Sequence, residues 1–163
     1  MSRIGLTGIL GILLAGFLIA IPATALSDHL GRSQVIGGMT VHLGLMPVGA
    51  LRGDPNAYPA HDRTKLPPGA DMHHVMLALF DNKTGERITD AAVTASVAPL
   101  AFSGLWKPLG PTSVDGKITY CNYFRISPKD MYVIKADIRL PGSTTVHRTE
   151  FVLKPHRGGS KES

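Results

Sequence analysis

A single cysteine, Cys121, stands in a chain of 163 residues, so no internal disulfide can form and the fold must be held by its core. Its position far from the N-terminus also excludes a lipidated leader. Aromatic residues are sparse at 6% with one tryptophan, and the 17 basic residues facing 12 acidic ones are scattered, densest from Lys154 to Lys161. Nucleic-acid binding would need a basic stripe interleaved with exposed aromatics, and none is present. Catalytic signatures are missing too. There is no Gly-x-Ser-x-Gly elbow, no phosphate-cradling glycine loop, no His-Glu-x-x-His and no Cys-x-x-Cys. Asp71 could orient His73 or His74, but no nucleophile accompanies them, so no enzymatic activity is expected.

One long apolar run is present, at the start. Arg3 supplies a positive charge, Ile4 to Ile21 carries none, Pro22 breaks the run, and Ala23-Thr24-Ala25 offers small residues where a signal peptidase reads. This predicts a signal helix over residues 1–25 with cleavage after Ala25, or after Ser27, and export to the periplasm or the medium. The run is roughly 18 residues, close to a membrane span, so an uncleaved anchor is the rival reading. Membrane contact is expected only through this segment. Cleavage would remove Arg3 alone among charged residues, leaving 138 residues, enough for one core.

Beyond a linker at 26–34, short alternating stretches separated by Gly, Pro, Asn and Asp predict strands over residues 35–154. In Val35 to Met46, the side chains of Met39, Val41, Leu43 and Leu45 share one face and Thr40, His42, Gly44 and Met46 the other. Residues 48–71 lack periodicity and read as a long Pro/Gly loop, a length that usually signals function or disorder. His73 to Asp81 is apolar on both faces and should be a central strand. Asn82 to Glu86 reads as a turn on Asn82 and Gly85; the same residues fit a glycosylation sequon. Further strands are expected at Arg87 to Ala98, Lys117 to Ile126, Met131 to Leu140 and Thr145 to Leu153. An irregular stretch from Pro99 to Thr112 holds Trp106, and 155–163 forms a disordered basic tail. About seven short strands with no helix after the signal predict an all-β fold, an immunoglobulin-like β-sandwich.

Histidine and methionine are concentrated where chemistry could follow. Met72-His73-His74-Val75-Met76 places two imidazoles and two thioethers in consecutive positions, His42 and Met46 lie on the less apolar face of the first strand, and His61 sits in the long loop. Imidazole suits copper, zinc, nickel and iron, while thioether sulfur favours Cu(I). On a strand, residues two apart lie about 6.6 Å from each other on one face, and residues four apart about 13 Å. His74 and Met76 can therefore share an ion, whereas His42 and Met46 need partners from elsewhere. His73 points away from His74 if the strand runs through both; if the strand begins at His74, Met72 and His73 are free to swing in. Candidate metal ligands are His42, Met46, His61, Met72, His73, His74 and Met76, three or four acting at once, with copper as the metal. Met39 and Met131 are expected in the core, and Cys121 as a small buried hydrophobe or, less simply, a soft ligand or an intermolecular partner.

Three stretches resemble small exported bacterial β-domains of the YtkA-like/FixH-like group: Gly38 to Met46, His74 to Val97 and Ile118 to Leu140. The residues carrying the resemblance are His74-Val75-Met76-Leu77-Ala78-Leu79-Phe80-Asp81, Thr84-Gly85, Ile88, Asp90-Ala91-Ala92-Val93, Thr119-Tyr120-Cys121-Asn122-Tyr123-Phe124, and Tyr132, Ile134 and Ile138. The resemblance implies an immunoglobulin-like domain in a copper or respiratory-oxidase context. With the residues themselves, it points to a non-catalytic periplasmic protein that carries, buffers or inserts copper. The alternative is a metal-free module that docks another envelope protein through its long loop.

Overall fold

The computed structural model describes residues 32–53, 66–114 and 116–154; the predicted signal segment, His61 and the basic tail lie outside them. Eight antiparallel strands make up the domain: β1 (Ser33–Ile36), β2 (Met39–Pro47), β3 (Met72–Asp81), β4 (Ala92–Pro99), β5 (Trp106–Val114), β6 (Lys117–Arg125), β7 (Tyr132–Arg139) and β8 (Val146–Leu153), with one short helix, α1 (Val48–Gly53), after β2. The order β1-β2-β3-β6-β5-β4-β7-β8 nearly closes on itself, because β1 touches β8. No helix among the described residues is long and apolar enough to cross a membrane.

The strand that joins the two layers is β5. Its first half, Trp106 to Leu109, pairs with β4, and from Gly110 onward it pairs with β6. Strands that change sheets in this way make the corners of a sandwich. The orders β2-β3-β6-β5 and β8-β7-β4 follow the ABED and GFC orders of an immunoglobulin constant-type sandwich.

Several expectations are corrected. There are eight strands rather than about seven, and the first begins at Ser33, inside the presumed linker. The stretch read as one strand from Val35 is two, folded back at Gly37-Gly38, both in the left-handed region. Both φ values are positive there, which a glycine adopts without a Cβ penalty. The supposedly irregular Pro99–Thr112 contains most of β5, which Pro108 and Pro111 disguise. The predicted strand from Arg87 starts only at Ala92; Arg87 forms an isolated bridge to Phe80. The long loop opens with α1, a helical turn where no helix was expected.

Alternation explains the core. Val75, Leu77 and Leu79 of β3 face Met39, Val41 and Leu43 of β2 and Tyr120 and Phe124 of β6, and Ile134, Ala136, Ile138 and Phe151 close the cluster from the second sheet. Met39 is buried as expected, but Met131 is 37% exposed at the start of β7 and not in the core. In the β3–β4 connection, the Asp81 carboxylate accepts hydrogen bonds from the backbone N–H of Lys83 (2.7 Å) and Thr84 (3.0 Å), an Asx turn with Gly85 at φ 72°.

Two carboxylates are held below their ordinary range: Asp81 by the Thr84 and Lys83 amides, and Asp137 by its bidentate pair with Arg148 (2.7 and 2.8 Å). Groups with depressed native pKa stabilise the fold above the unfolded value, and that contribution disappears as pH falls through the native one. Thermal stability is therefore expected to hold steady from neutral pH down to about 4 and to fall below the ordinary carboxylate value of 3.8. Asp137→Asn should remove part of that acid limb while costing at most about 1 kcal/mol at pH 7, because Arg148 is 67% exposed. Melting curves between pH 2 and 7 check this; an unchanged limb in the variant would discount the pair.

Candidate metal centre

The outward face of β3 carries Met72, His74, Met76, Ala78 and Phe80, and its register fixes their neighbours. Met46 of β2 lies directly opposite His74, and Gly44 opposite Met76. On the other side, Tyr123 of β6 lies opposite His74 and Cys121 opposite Met76. Directly opposed residues have Cβ atoms about 4.5–5.5 Å apart, and diagonal ones about 7–8 Å. Met46, His74, Met76 and Cys121 therefore form a compact patch of one imidazole, two thioethers and one thiol. Gly44 makes room for it: a Cβ there would stand 3.1 Å from the Met76 methyl carbon.

An outward face is usually wet, yet His74 is fully buried. The cause is a second small apolar cluster laid over this end of the sheet. Val48 and Leu51 of α1 and Leu66 form it, packed against Met46, Met72 and Tyr123. Arg52 fastens this cover by donating to the carbonyls of Leu66 (3.2 Å) and Pro67 (2.6 Å). The His74 ring stacks on Tyr123 with centroids 4.9 Å apart and planes at 27°. The Cys121 thiol donates to the Thr112 hydroxyl at 3.0 Å, and burial pushes its pKa up more than that bond lowers it. It is thus a neutral thiol at pH 7 that must lose a proton to act as a strong ligand.

Four of the seven predicted ligands, Met46, Met72, His74 and Met76, come together on this face. His42 shares the face but lies level with Ala78, four residues along β2 from Met46, and packs edge-on against Phe80 at 5.4 Å. His73 points to the opposite side, level with Pro47 and Phe124, with its Nδ1 3.0 Å from the Asp71 carbonyl. His42 and His73 are thus not brought to this patch, and His61 lies outside the described residues. Sequence reasoning passed over Tyr123 and gave Cys121 little weight. The alternation of Thr119, Cys121 and Tyr123 was visible, but nothing local says that β6 is the neighbour of β3.

Among the described residues no group of three or more His, Cys, Asp or Glu could hold a metal. The patch is instead dominated by thioethers, a donor set suited to Cu(I) and ill suited to hard cations. A groove of about 470 Å³ lies elsewhere, lined by Thr94, Pro108, Asp137, Arg139 and Val146 among others, and contains no His, Met or Cys.

No family model and no curated protein sequence matches the chain. Solved structures do. A DUF4426 family protein from Pseudomonas aeruginosa is similar, with 22% identity and a TM-score of 0.56 over 75% of this chain and 91% of its own. Copper-bound FetP from uropathogenic Escherichia coli, a variant protein, gives 12% identity and 0.55 over 77% and 95%, and FetP as isolated after expression in the E. coli periplasm gives 12% and 0.51 over 76% and 93%. At these identities the likeness establishes the fold: the chain is a small all-β domain of the same architecture as these proteins.

Proposed function

We propose that this domain is a non-catalytic copper-binding protein that works after export, holding Cu(I) and passing it to another envelope protein. The observation that carries the proposal is the β2–β3–β6 register, which surrounds a buried imidazole with Met46, Met72 and Met76 and sets Cys121 beside Met76. Thioether and imidazole donors persist in an oxidising compartment, where thiols alone are consumed. The copper-bound state of a structural neighbour and the resemblance to the YtkA-like/FixH-like group support the same reading.

Cu(I) titration of the exported protein against a chromophoric chelator tests it. His74→Ala and Met76→Leu should each weaken binding by at least about ten-fold, the lower end of what even supporting residues of a metal site cause. His42→Ala and His73→Ala should leave affinity unchanged. Met76→Leu preserves volume, so its loss cannot be put down to unfolding. Binding no tighter than that of a histidine-bearing surface, or equal affinity in all four variants, sinks the proposal.

A further inference from the structure

One end of the sandwich collects the loops that follow β2, β4 and β6. Pro47 pairs with His73, Met72 with Arg125, and Pro99 with Tyr132, while Leu100 N–H bonds to the Met131 carbonyl at 2.8 Å. Five of the eight large apolar residues exposed among the described residues lie there: Leu100 (51%), Phe102 (74%), Leu105 (84%), Trp106 (47%) and Met131. Three of the five lie in the loop between β4 and β5 and Trp106 opens β5, so four cluster at the tip of this hairpin. The tip is shaped by a turn in which Phe102 N–H bonds to the Pro99 carbonyl and Ala101 takes φ 71°, a conformation that costs a non-glycine residue about 1–3 kcal/mol. Large apolar side chains left exposed so close together in the chain mark an interaction site.

The described chain ends at this end of the domain, and the start of its first strand points toward it. β1 runs antiparallel to β2, and Arg32 is level with Leu43, so the chain enters from the side of Pro47. β8 finishes at Leu153, paired with Tyr132, and there leads into the basic sequence Lys154 to Lys161. Exposed Lys107, Arg125 and Lys129 belong to this end of the domain, as do Asp71 and Asp130, and Lys107 donates to the Tyr123 carbonyl at 3.2 Å. Exposed Leu, Phe and Trp at a hairpin tip, with a small cationic excess at the same end of the domain and a basic sequence after β8, combine the two forces that hold peripheral domains on anionic bilayers.

We infer that this end of the domain rests on an anionic lipid surface, with Leu100, Phe102, Leu105 and Trp106 in the headgroup region. The inference is independent of copper. It extends the expected membrane contact beyond the N-terminal segment.

Trp106 is the chain's only tryptophan, so its fluorescence reports on this loop alone. The exported protein, with whatever N-terminus export leaves it, is mixed with vesicles of equal parts phosphatidylglycerol and phosphatidylcholine bearing brominated acyl chains. Trp106 emission should shift to the blue and be quenched at least about two-fold, less so with phosphatidylcholine alone or at high salt. A Phe102→Ser, Leu105→Ser double variant should lose the quenching while keeping its melting temperature. Both substitutions are at exposed positions, so folding is not at stake. Co-sedimentation is not the readout, since the N-terminal run could cause it without the loop. An unquenched Trp106 in vesicle-bound protein overturns the inference. So does a blue shift without lipid that grows with protein concentration, which would assign the surface to a second copy.

Discussion

Tyr120→Ala is expected to cost about 3–5 kcal/mol of folding stability, the range for removing a large aromatic from a core. The ring is 1% exposed, opposite Leu77 of the central strand, and sits in the main hydrophobic cluster. Its hydroxyl reaches out of that cluster to the β3–β4 connection, accepting from the Ala91 N–H at 2.8 Å and donating to the Ile88 carbonyl at 3.4 Å. Burial pushes the phenol pKa up, so the group stays a neutral donor and acceptor across the working pH range. Tyr120→Phe separates the two contributions. It keeps the apolar ring and strands the Ala91 amide, which should cost about 1–2 kcal/mol. Urea unfolding measures both; if the phenylalanine variant matches the wild type, the hydroxyl does not hold the connection in place.

The second large effect is expected at a residue without a side chain. A Cβ on Gly104 would stand 2.6 Å from the Val97 carbonyl oxygen, 2.9 Å from its carbon and 2.7 Å from the Ser96 hydroxyl. Two of those atoms are backbone of β4, which is fixed in register with β7 from Ala92 to Pro99. The loop therefore has to lift, at a cost of about 1–3 kcal/mol, the usual range for forcing atoms into a packed contact. Gly104→Ala should lower the melting temperature by about 3–5 °C for each kcal/mol lost, and it should alter Trp106 emission even without lipid. An unchanged melting temperature would mean that the loop is not seated on β4. The effect would also separate two causes of altered vesicle binding, because Gly104→Ala moves the tip whereas Phe102→Ser and Leu105→Ser change only its polarity.

Period-two patterning is a local property, and wherever one face of a strand had to be apolar it could be read directly. The faces of β2, the central place of β3 and the turn on Asn82 and Gly85 all follow from it. So does the division of His74 from His73, once the strand is known to start at Met72. Prolines in β5 hid a strand, because Pro108 and Pro111 sit where one half of β5 leaves β4 and the other joins β6. The composition of the candidate site was therefore legible in part: His74 and Met76 share a face by spacing alone, whereas Met72, read as a loop residue, joins them only because β3 starts there.

Which strands become neighbours, and in what register, is decided by how the core packs and how the connections close, and no window of sequence contains that. The tertiary structure put Met46 opposite His74, removed His42 to a lower row, and brought Cys121 beside Met76 from a strand more than forty residues away. It also buried His74 on an outward face by laying α1 and Leu66 over it. One cysteine determined by itself that the fold would rest on its core rather than on a disulfide. Only the pairing of β3 with β6 decided that the same cysteine would lie among soft donors, because contact between distant residues is a property of the packed sheet.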